Sequence, residues 1–111
     1  MSRQNIYLIG LMAVGKSTVG RLLGQSLGYE FYDTDQVIEE RAGADIAWIF
    51  DVEGEEGFRD REQLVLDELT GLEGVVIATG GGIVLREVNR QILSGRGAVI
   101  LLDSPLDRLV E

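Results

Sequence analysis

Apolar residues follow two different periods along this chain. Short runs rich in aliphatic and aromatic residues predict four β-strands, at residues 6–9, 30–33, 75–78 and 98–102. Between them, apolar residues recur every three or four positions and predict helices at residues 16–27, 46–52, 56–69 and 85–93. A short helix is predicted between Gln36 and Gly43, and Pro105 suits the first turn of a last helix. Strands that alternate with helices predict an α/β fold, in which helices cover both faces of a mostly parallel sheet.

The loops after the first three predicted strands are the most unusual stretches of the chain. They cover residues 10–16, 33–35 and 79–82 and are rich in glycine and aspartate. Ligands of open parallel sheets bind beyond the carboxyl ends of the strands. We therefore expect these three loops to meet at one edge of the sheet and to form a ligand site.

Length and composition limit the possible functions. With 111 residues, of which 45% are hydrophobic, the chain is expected to form a single domain over residues 1–111. The formal charge of −9 argues against binding to nucleic acid, and the apolar runs are too short to cross a membrane, so a cytoplasmic location is expected. Because cysteine and histidine are absent, acid–base chemistry would rest on carboxylates and metal binding on oxygen ligands.

A phosphate-binding motif follows the first predicted strand. Residues 10–17, GLMAVGKS, match the pattern G-x-x-x-x-G-K-[ST]. In this motif backbone N–H groups surround a phosphate, the lysine reaches the β/γ oxygens and the hydroxyl binds Mg²⁺. Lys16 is the only lysine of the chain, and a compact ammonium suits this position better than the planar guanidinium found at the other basic positions. The motif predicts nucleotide binding; the alternative is a plain glycine-rich turn between a strand and a helix.

Two aspartates form a second candidate group. Asp33 and Asp35 are two positions apart, so in an extended backbone their side chains would point to the same side. One would then hold Mg²⁺ through water while the other accepts a hydroxyl proton. The alternative is that Asp35 caps the helix that follows it.

Other candidates lie later in the chain. Arg59 follows Glu55 by four residues and, judged alone, is expected to be an exposed ion-pair partner on a helix. The three glycines at 80–82 indicate close approach of a ligand to the backbone at the end of a strand. Trp48 and Phe50 lie among isoleucines and are expected in the core or in the wall of a pocket.

Three stretches together resemble the shikimate kinase family. They are GLMAVGKSTVGRLLGQSLGYEFYDTD, IAWIFDVEGEEGFRDRE and VIATGGGIV, in the order and at the spacing of that family. The resemblance implies a P-loop NTPase fold of the nucleoside-monophosphate-kinase type, and a monomer that transfers the γ-phosphoryl group of ATP to the 3-hydroxyl of shikimate with Mg²⁺. It also implies a place in the biosynthesis of chorismate and the aromatic amino acids.

The resemblance further implies a role for particular residues. Lys16 would stabilise the transferring phosphoryl group, and Ser17 would bind Mg²⁺ with Asp33 assisting through water. Asp35 would bind the substrate hydroxyls and act as the base, and Arg59 would hold the substrate carboxylate in a bidentate pair. The remaining implied contacts are to the ATP phosphates from Ala13, Val14, Gly15, Lys16, Ser17 and Thr18, and to the substrate from Gly80, Gly81 and Gly82, with the Gly81 N–H as a donor.

Members of the family continue well beyond the length of this chain. Their additional part holds a mobile lid with an arginine for the nucleotide phosphates, a second arginine for the substrate carboxylate, a fifth strand and a loop against adenine. We therefore expect a chain that is incomplete at its C-terminus and turns over little or nothing by itself. Two alternatives stay open: another P-loop kinase of small metabolites, such as a gluconate kinase, and a non-catalytic nucleotide-binding fragment.

Overall fold

The computed structural model describes residues 3–10 and 15–102. Its strands are β1 (Asn5–Ile9), β2 (Glu30–Asp33), β3 (Val75–Ala78) and β4 (Gly97–Leu101). Its helices are α1 (Lys16–Leu27), α2 (Thr34–Ala42), α3 (Ile46–Leu69) and α4 (Glu87–Arg96), with a 3₁₀ turn at Ile83–Leu85 before α4. The strands and helices predicted within these residues are confirmed with small shifts of their ends; the helix predicted at Pro105 lies outside them. Every helix in this part of the chain is too short or too polar to cross a membrane.

The four strands form one parallel sheet in the order β2-β3-β1-β4. The register pairs Tyr7 with Ile77, and both side chains belong to a core cluster that includes Phe58 of α3. Neighbouring strand residues point to the opposite face, where Leu8 lies against α1 at Gly20. Helices on both faces of a parallel sheet are therefore confirmed. Because β1 connects to β2 on one side and β3 connects to β4 on the other, a crevice opens at the carboxyl ends of β1 and β3.

Helix α1 packs on the sheet mainly through glycines and less through the apolar residues that predict it. Val19 and Leu22 are exposed, whereas Gly20 and Gly24 are buried. A Cβ atom at position 20 would stand 2.3 Å from the ring of Phe31. The apolar period thus predicts the helix, whereas its buried face is formed by glycines, because an aromatic ring on β2 fills the space that a larger helix residue would need.

Helix α3 is kinked at Gly54. This residue has φ 76° and ψ 175°, a backbone conformation that favours glycine. The kink separates a first half, residues 46–53, from a second half, residues 55–69, which correspond to the two helices predicted from the sequence. Ile49 of the first half and Leu66 of the second are fully buried, so both halves contribute to one core.

Candidate active site

The three predicted loops lie together at the carboxyl edge of the sheet. The hydroxyl of Ser17, at the start of α1, donates a hydrogen bond of 2.6 Å to Oδ2 of Asp33 at the end of β2. The backbone N–H of Gly80, after β3, donates a hydrogen bond of 3.2 Å to the hydroxyl of Thr34. The expectation that the ends of β1, β2 and β3 meet is therefore confirmed.

The described part of the phosphate-binding motif has the geometry of a sharp turn from strand to helix. Gly15 has φ 100°, in the left-handed region, and α1 begins directly after it. The first helical hydrogen bond runs from the N–H of Val19 to the carbonyl of Gly15 at 2.8 Å. The N–H groups of residues 16–18, including exposed Thr18, precede that bond and are therefore free of helical partners by position. Ala13 and Val14, two of the predicted phosphate contacts, lie outside the described residues.

Lys16 is buried at the base of this turn, with 3% of the residue exposed. Its Nζ donates a hydrogen bond of 2.5 Å to the carbonyl of Gly10. Burial lowers the pKa of Lys16, while the carboxylates of Asp35 and Asp33 raise it. An ammonium has three donors, and the bond to Gly10 uses one of them, so a lysine in this setting is suited to meet an anion.

Asp33 serves two partners at once. Its Oδ1 accepts the backbone N–H of Asp35 at 3.0 Å and that of Gln36 at 3.3 Å, which makes Asp33 the N-cap of α2. Its Oδ2 accepts the Ser17 hydroxyl. The alternative in which Asp35 caps this helix is therefore wrong, because the two bonds to Asp33 already start α2 at Thr34.

Ser17 and Asp33 supply the oxygen donors that the resemblance assigns to a metal. Across residues 3–10 and 15–102, no group of three or more Asp, Glu, His or Cys side chains is placed to hold an ion by itself. Mg²⁺ at nucleotide sites is usually held by one or two protein oxygens together with water and phosphate oxygens. A hydroxyl and a carboxylate in contact beside a phosphate-binding turn fit that pattern.

Asp35 lies in the first turn of α2, so the expectation of an extended backbone between the two aspartates is wrong. Burial, and after it the neighbouring carboxylate of Asp33, raise the pKa of Asp35, while Lys16 and Arg59 lower it. Its buried Oδ1 has no hydrogen-bond partner among the described residues. A carboxyl group with a raised pKa and an unused oxygen is suited to accept a proton.

Arg59 is held by a buried glutamate that the sequence analysis missed. Its Nη1 donates a hydrogen bond of 3.0 Å to Oε1 of Glu62, a residue with 0% exposure. The predicted ion pair with Glu55 is confirmed, with Oε2 of Glu55 3.5 Å from Nε of Arg59. Only 15% of the Arg59 side chain is exposed, so the prediction of a solvated surface arginine is wrong: the buried carboxylate one turn later draws the guanidinium inward.

Glu62 could have been found from its place in the pattern. It occupies the buried face of α3 together with Phe58 and Val65, where every other residue is apolar. Burial raises the pKa of Glu62, and the hydrogen bond from Arg59 lowers it. A charge on an otherwise apolar helix face calls for a buried partner, and Arg59 lies three positions away.

A cavity of about 190 Å³ opens between α2, α3 and the glycine loop. The rings of Phe50 and Phe58 stack there with centroids 4.7 Å apart, and the guanidinium of Arg59 lies 5.2 Å from the Phe58 ring centroid. Phe50 in a pocket wall is therefore confirmed, whereas Trp48 is 50% exposed and belongs neither to the core nor to this wall. The lining consists of Asp35, Ile46, Phe50, Phe58, Arg59, Glu62, Gly80, Gly81 and Gly82.

The glycine loop lets two site residues approach the backbone. A Cβ atom on Gly80 would stand 2.7 Å from Oδ1 of Asp35, and one on Gly82 would stand 2.4 Å from Nη1 of Arg59. A side chain at either position would therefore displace the Asp35 carboxylate or the Arg59 guanidinium from its place in the cavity. The N–H of Gly80 is already bonded to Thr34, so the other two glycines offer the remaining N–H groups of this loop.

Buried polar atoms without hydrogen-bond partners favour this cavity over two larger ones as the candidate active site. Cavities of about 640 and 490 Å³ lie at the amino ends of the strands and between α3 and α4. Among the residues described, four buried side-chain atoms lack a hydrogen-bond partner. Three of them, Asp35 Oδ1, Arg59 Nε and Glu62 Oε2, belong to residues that line the small cavity. Because buried polar atoms are normally paired, this cavity is the candidate active site.

Comparisons with known proteins agree on the family of the chain. A family model described as shikimate kinase matches residues 12–111. The shikimate kinase of Legionella pneumophila (strain Corby) is 61% identical over 108 residues, which are 97% of this chain and 62% of the relative. The solved structure of the Acinetobacter baumannii shikimate kinase in complex with shikimate superposes with a TM-score of 0.90 at 51% identity, covering 95% of this chain and 59% of that one.

A gluconokinase from Sinorhizobium meliloti also superposes, with a TM-score of 0.52 at 18% identity over 96% of this chain and 61% of that one, which shows a shared fold alone. The chain spans 62% of the length of the Legionella relative. A family model that covers residues 12–111 and an identity of 61% confirm the resemblance on which the site was predicted. The chain belongs to the shikimate kinase family.

Proposed function

We propose that the protein transfers the γ-phosphoryl group of ATP to the 3-hydroxyl of shikimate. One observation carries this proposal: a largely buried guanidinium, Arg59, and a carboxyl group with an unused oxygen, Asp35, line one cavity together with the glycine loop. That cavity adjoins the phosphate-binding turn, because Ser17 at the start of α1 is hydrogen-bonded to Asp33, two residues before Asp35. A relative at 51% identity is described in complex with shikimate, which supports the choice of substrate.

The start of α1 would bind the phosphate groups of ATP. The N–H groups of Gly15, Lys16, Ser17 and Thr18, with those of Ala13 and Val14, would surround the ATP phosphates. The positive end of the α1 dipole favours the same anion. The ammonium of Lys16 would follow the phosphoryl group as it moves, and a compact charge on a flexible stem suits that task.

Mg²⁺ would be held by the Ser17 hydroxyl, with Asp33 as the nearby carboxylate. When bound, this ion neutralises phosphate charge. The contribution of the chain is the fixed position of the two oxygens, because Asp33 is anchored to α2 by its other oxygen.

Residues of α2, α3 and the glycine loop would bind shikimate. Arg59 would hold the shikimate carboxylate, and the hydrogen bond to Glu62 keeps the guanidinium in place. Asp35 would bind the ring hydroxyls and accept the proton of the 3-hydroxyl as the oxygen attacks phosphorus. The loop 80–82 would offer N–H groups to the substrate, principally from Gly81.

ADP release coupled to substrate tests this proposal and its two alternatives. Full-length protein should release ADP in the presence of ATP, Mg²⁺ and shikimate, and far less with gluconate in place of shikimate. A gluconate-kinase-like enzyme would give the reverse order. A non-catalytic nucleotide-binding module would bind ATP and show no substrate-dependent release.

Substitutions test whether the ADP release depends on residues of the proposed site. We expect Lys16→Ala and Asp35→Asn each to reduce turnover about a hundredfold or more. Asp51→Asn, at an exposed position of α3, is the matched control and should retain activity. Near wild-type turnover of Asp35→Asn would show that another group accepts the proton.

A further inference from the structure

Two glycines shape the kink of α3. Gly54 adopts φ 76°, which favours glycine, and three residues later a second glycine provides space. A Cβ atom on Gly57 would stand 2.6 Å from Cβ of Glu53, so the first half of the helix can fold back only because position 57 lacks a side chain. Two glycines with different functions thus give the kink its angle.

An ion pair connects the helical turns on the two sides of this kink. Nε and Nη2 of Arg61 donate to the two carboxylate oxygens of Glu53 at 2.8 and 2.7 Å, so both ends of the fork are used. Hydrogen bonding to Arg61 lowers the pKa of Glu53, so the carboxylate is charged at neutral pH. The pair joins the last turn before the kink to the second turn after it, and a bidentate pair restricts orientation as well as distance.

The two halves that this pair joins both line the candidate active site. The first half supplies Ile46 and Phe50, and the second half supplies Phe58, Arg59 and Glu62. The stacked rings of Phe50 and Phe58 touch across the kink on the cavity side. Any change in the kink angle therefore moves Phe50 relative to Arg59, two residues that line the cavity, and so changes the width of the cavity.

We infer that Glu53 and Arg61 are positioning residues for the substrate: their ion pair sets the kink angle of α3 and thereby the width of the cavity beside Arg59. This inference rests on the proposed function, because the cavity is taken to be the shikimate site. Neither residue lines the cavity, so both act through Phe50 and Arg59 and not by contact with the substrate.

Steady-state kinetics of the full-length protein test the inference. Glu53→Ala and Arg61→Ala should each raise the KM for shikimate about three- to fivefold, with kcat and the KM for ATP within about twofold of wild type. The exchanged double variant, Glu53→Arg with Arg61→Glu, should recover most of the loss. Glu68→Ala, which removes an exposed ion pair between the last turns of α3 and Arg41 of α2, is the control and should leave all three constants unchanged.

A ligand-free measurement separates failure of this inference from failure of the proposed function. Trp48 is the only tryptophan of these 111 residues and lies on the first half of α3, half exposed. Quenching of its fluorescence by acrylamide should change in both single variants and return in the exchanged variant. If wild type does not use shikimate, the proposed function is wrong, and the quenching alone decides whether the pair holds the first half of α3. Unchanged quenching together with an unchanged KM would overturn the inference.

Discussion

Replacing Arg59 with alanine is expected to destabilise the fold because it leaves the buried carboxylate of Glu62 without its charged partner. Glu62 is fully buried, and among the described residues its Oε2 already lacks a hydrogen-bond partner, so the 3.0 Å bond from Arg59 to Oε1 is its main compensation. Removing one partner of a buried pair usually costs 3–5 kcal/mol. Since the Arg59 side chain is 15% exposed at a cavity that water can enter, we expect the lower end, about 3 kcal/mol. That value corresponds to about a hundredfold loss in the folding equilibrium.

The loss should depend on pH in a definite direction. Burial raises the pKa of Glu62 above its ordinary value of 4.5 in the native protein, and the Arg59 hydrogen bond opposes that rise. Without Arg59 the pKa rises further, so the folded variant binds a proton more tightly than the unfolded chain. The folded variant is therefore stabilised as the pH falls from the raised native pKa of Glu62 towards 4.5, and it is destabilised as the pH rises. The difference from wild type should therefore be larger at pH 7 than at pH 5.

Urea unfolding followed by far-UV circular dichroism at pH 5 and pH 7 checks this reasoning. Arg59→Ala should lose about 3 kcal/mol at pH 7, and Arg59→Ala combined with Glu62→Gln should regain part of it, because the stranded charge is gone. Arg90→Ala is the control, since Arg90 is exposed and its side chain bonds to a backbone carbonyl. An equal loss at both pH values, or no recovery in the double variant, would refute the role given to the buried charge.

Three further predictions concern stability and can be measured by the same unfolding experiment. Gly20→Ala should destabilise by about 1–3 kcal/mol, because its Cβ would stand 2.3 Å from the Phe31 ring, whereas Gly95→Ala, with no atom of the described residues within 4 Å, should be neutral or slightly stabilising. A neutral Gly20→Ala would mean that α1 is loosely packed. Asp35→Asn should stabilise by about 1 kcal/mol at pH 7 and not below its ordinary pKa of 3.8, because burial raises the pKa of Asp35 and makes its charge costly; a loss at pH 7 would contradict this. Asp33→Ala should cost about 1 kcal/mol through loss of the N-cap of α2 and should also weaken binding of Mg²⁺–ATP, and an unchanged stability would show that the cap is replaceable.

The arrangement of strands and helices could be predicted because the chain marks its own boundaries. Gly28 and Gly43, both in the left-handed conformation, end α1 and α2 where the apolar period stops. Val75–Ala78 is apolar throughout, as expected of a strand buried on both faces. The meeting of three loops at one edge then followed from parallel topology alone.

The details of the site could not be predicted because they depend on contacts between distant elements. The buried face of α1 is decided by the Phe31 ring, which lies on another strand. The cap of α2 is decided by where the backbone leaves the sheet, which made Asp33 and not Asp35 the capping residue. The environment of Arg59 is decided by Glu62, whose burial depends on the packing of the whole of α3. Spacing along one helix gives the possible partners of a residue and not the one that burial selects.

The double use of Asp33 restricts what evolution or a designer can place at that position. One oxygen starts α2 and the other accepts the Ser17 hydroxyl. Asparagine would keep a helix cap but would present an N–H₂ group to the serine and no charge to a cation, and serine would cap without reaching across. Glutamate would carry the charge on a longer stem that caps poorly. In a library randomised at position 33 and sorted first for folding and then for nucleotide binding, several residue types should pass the first sort, and aspartate should dominate the second.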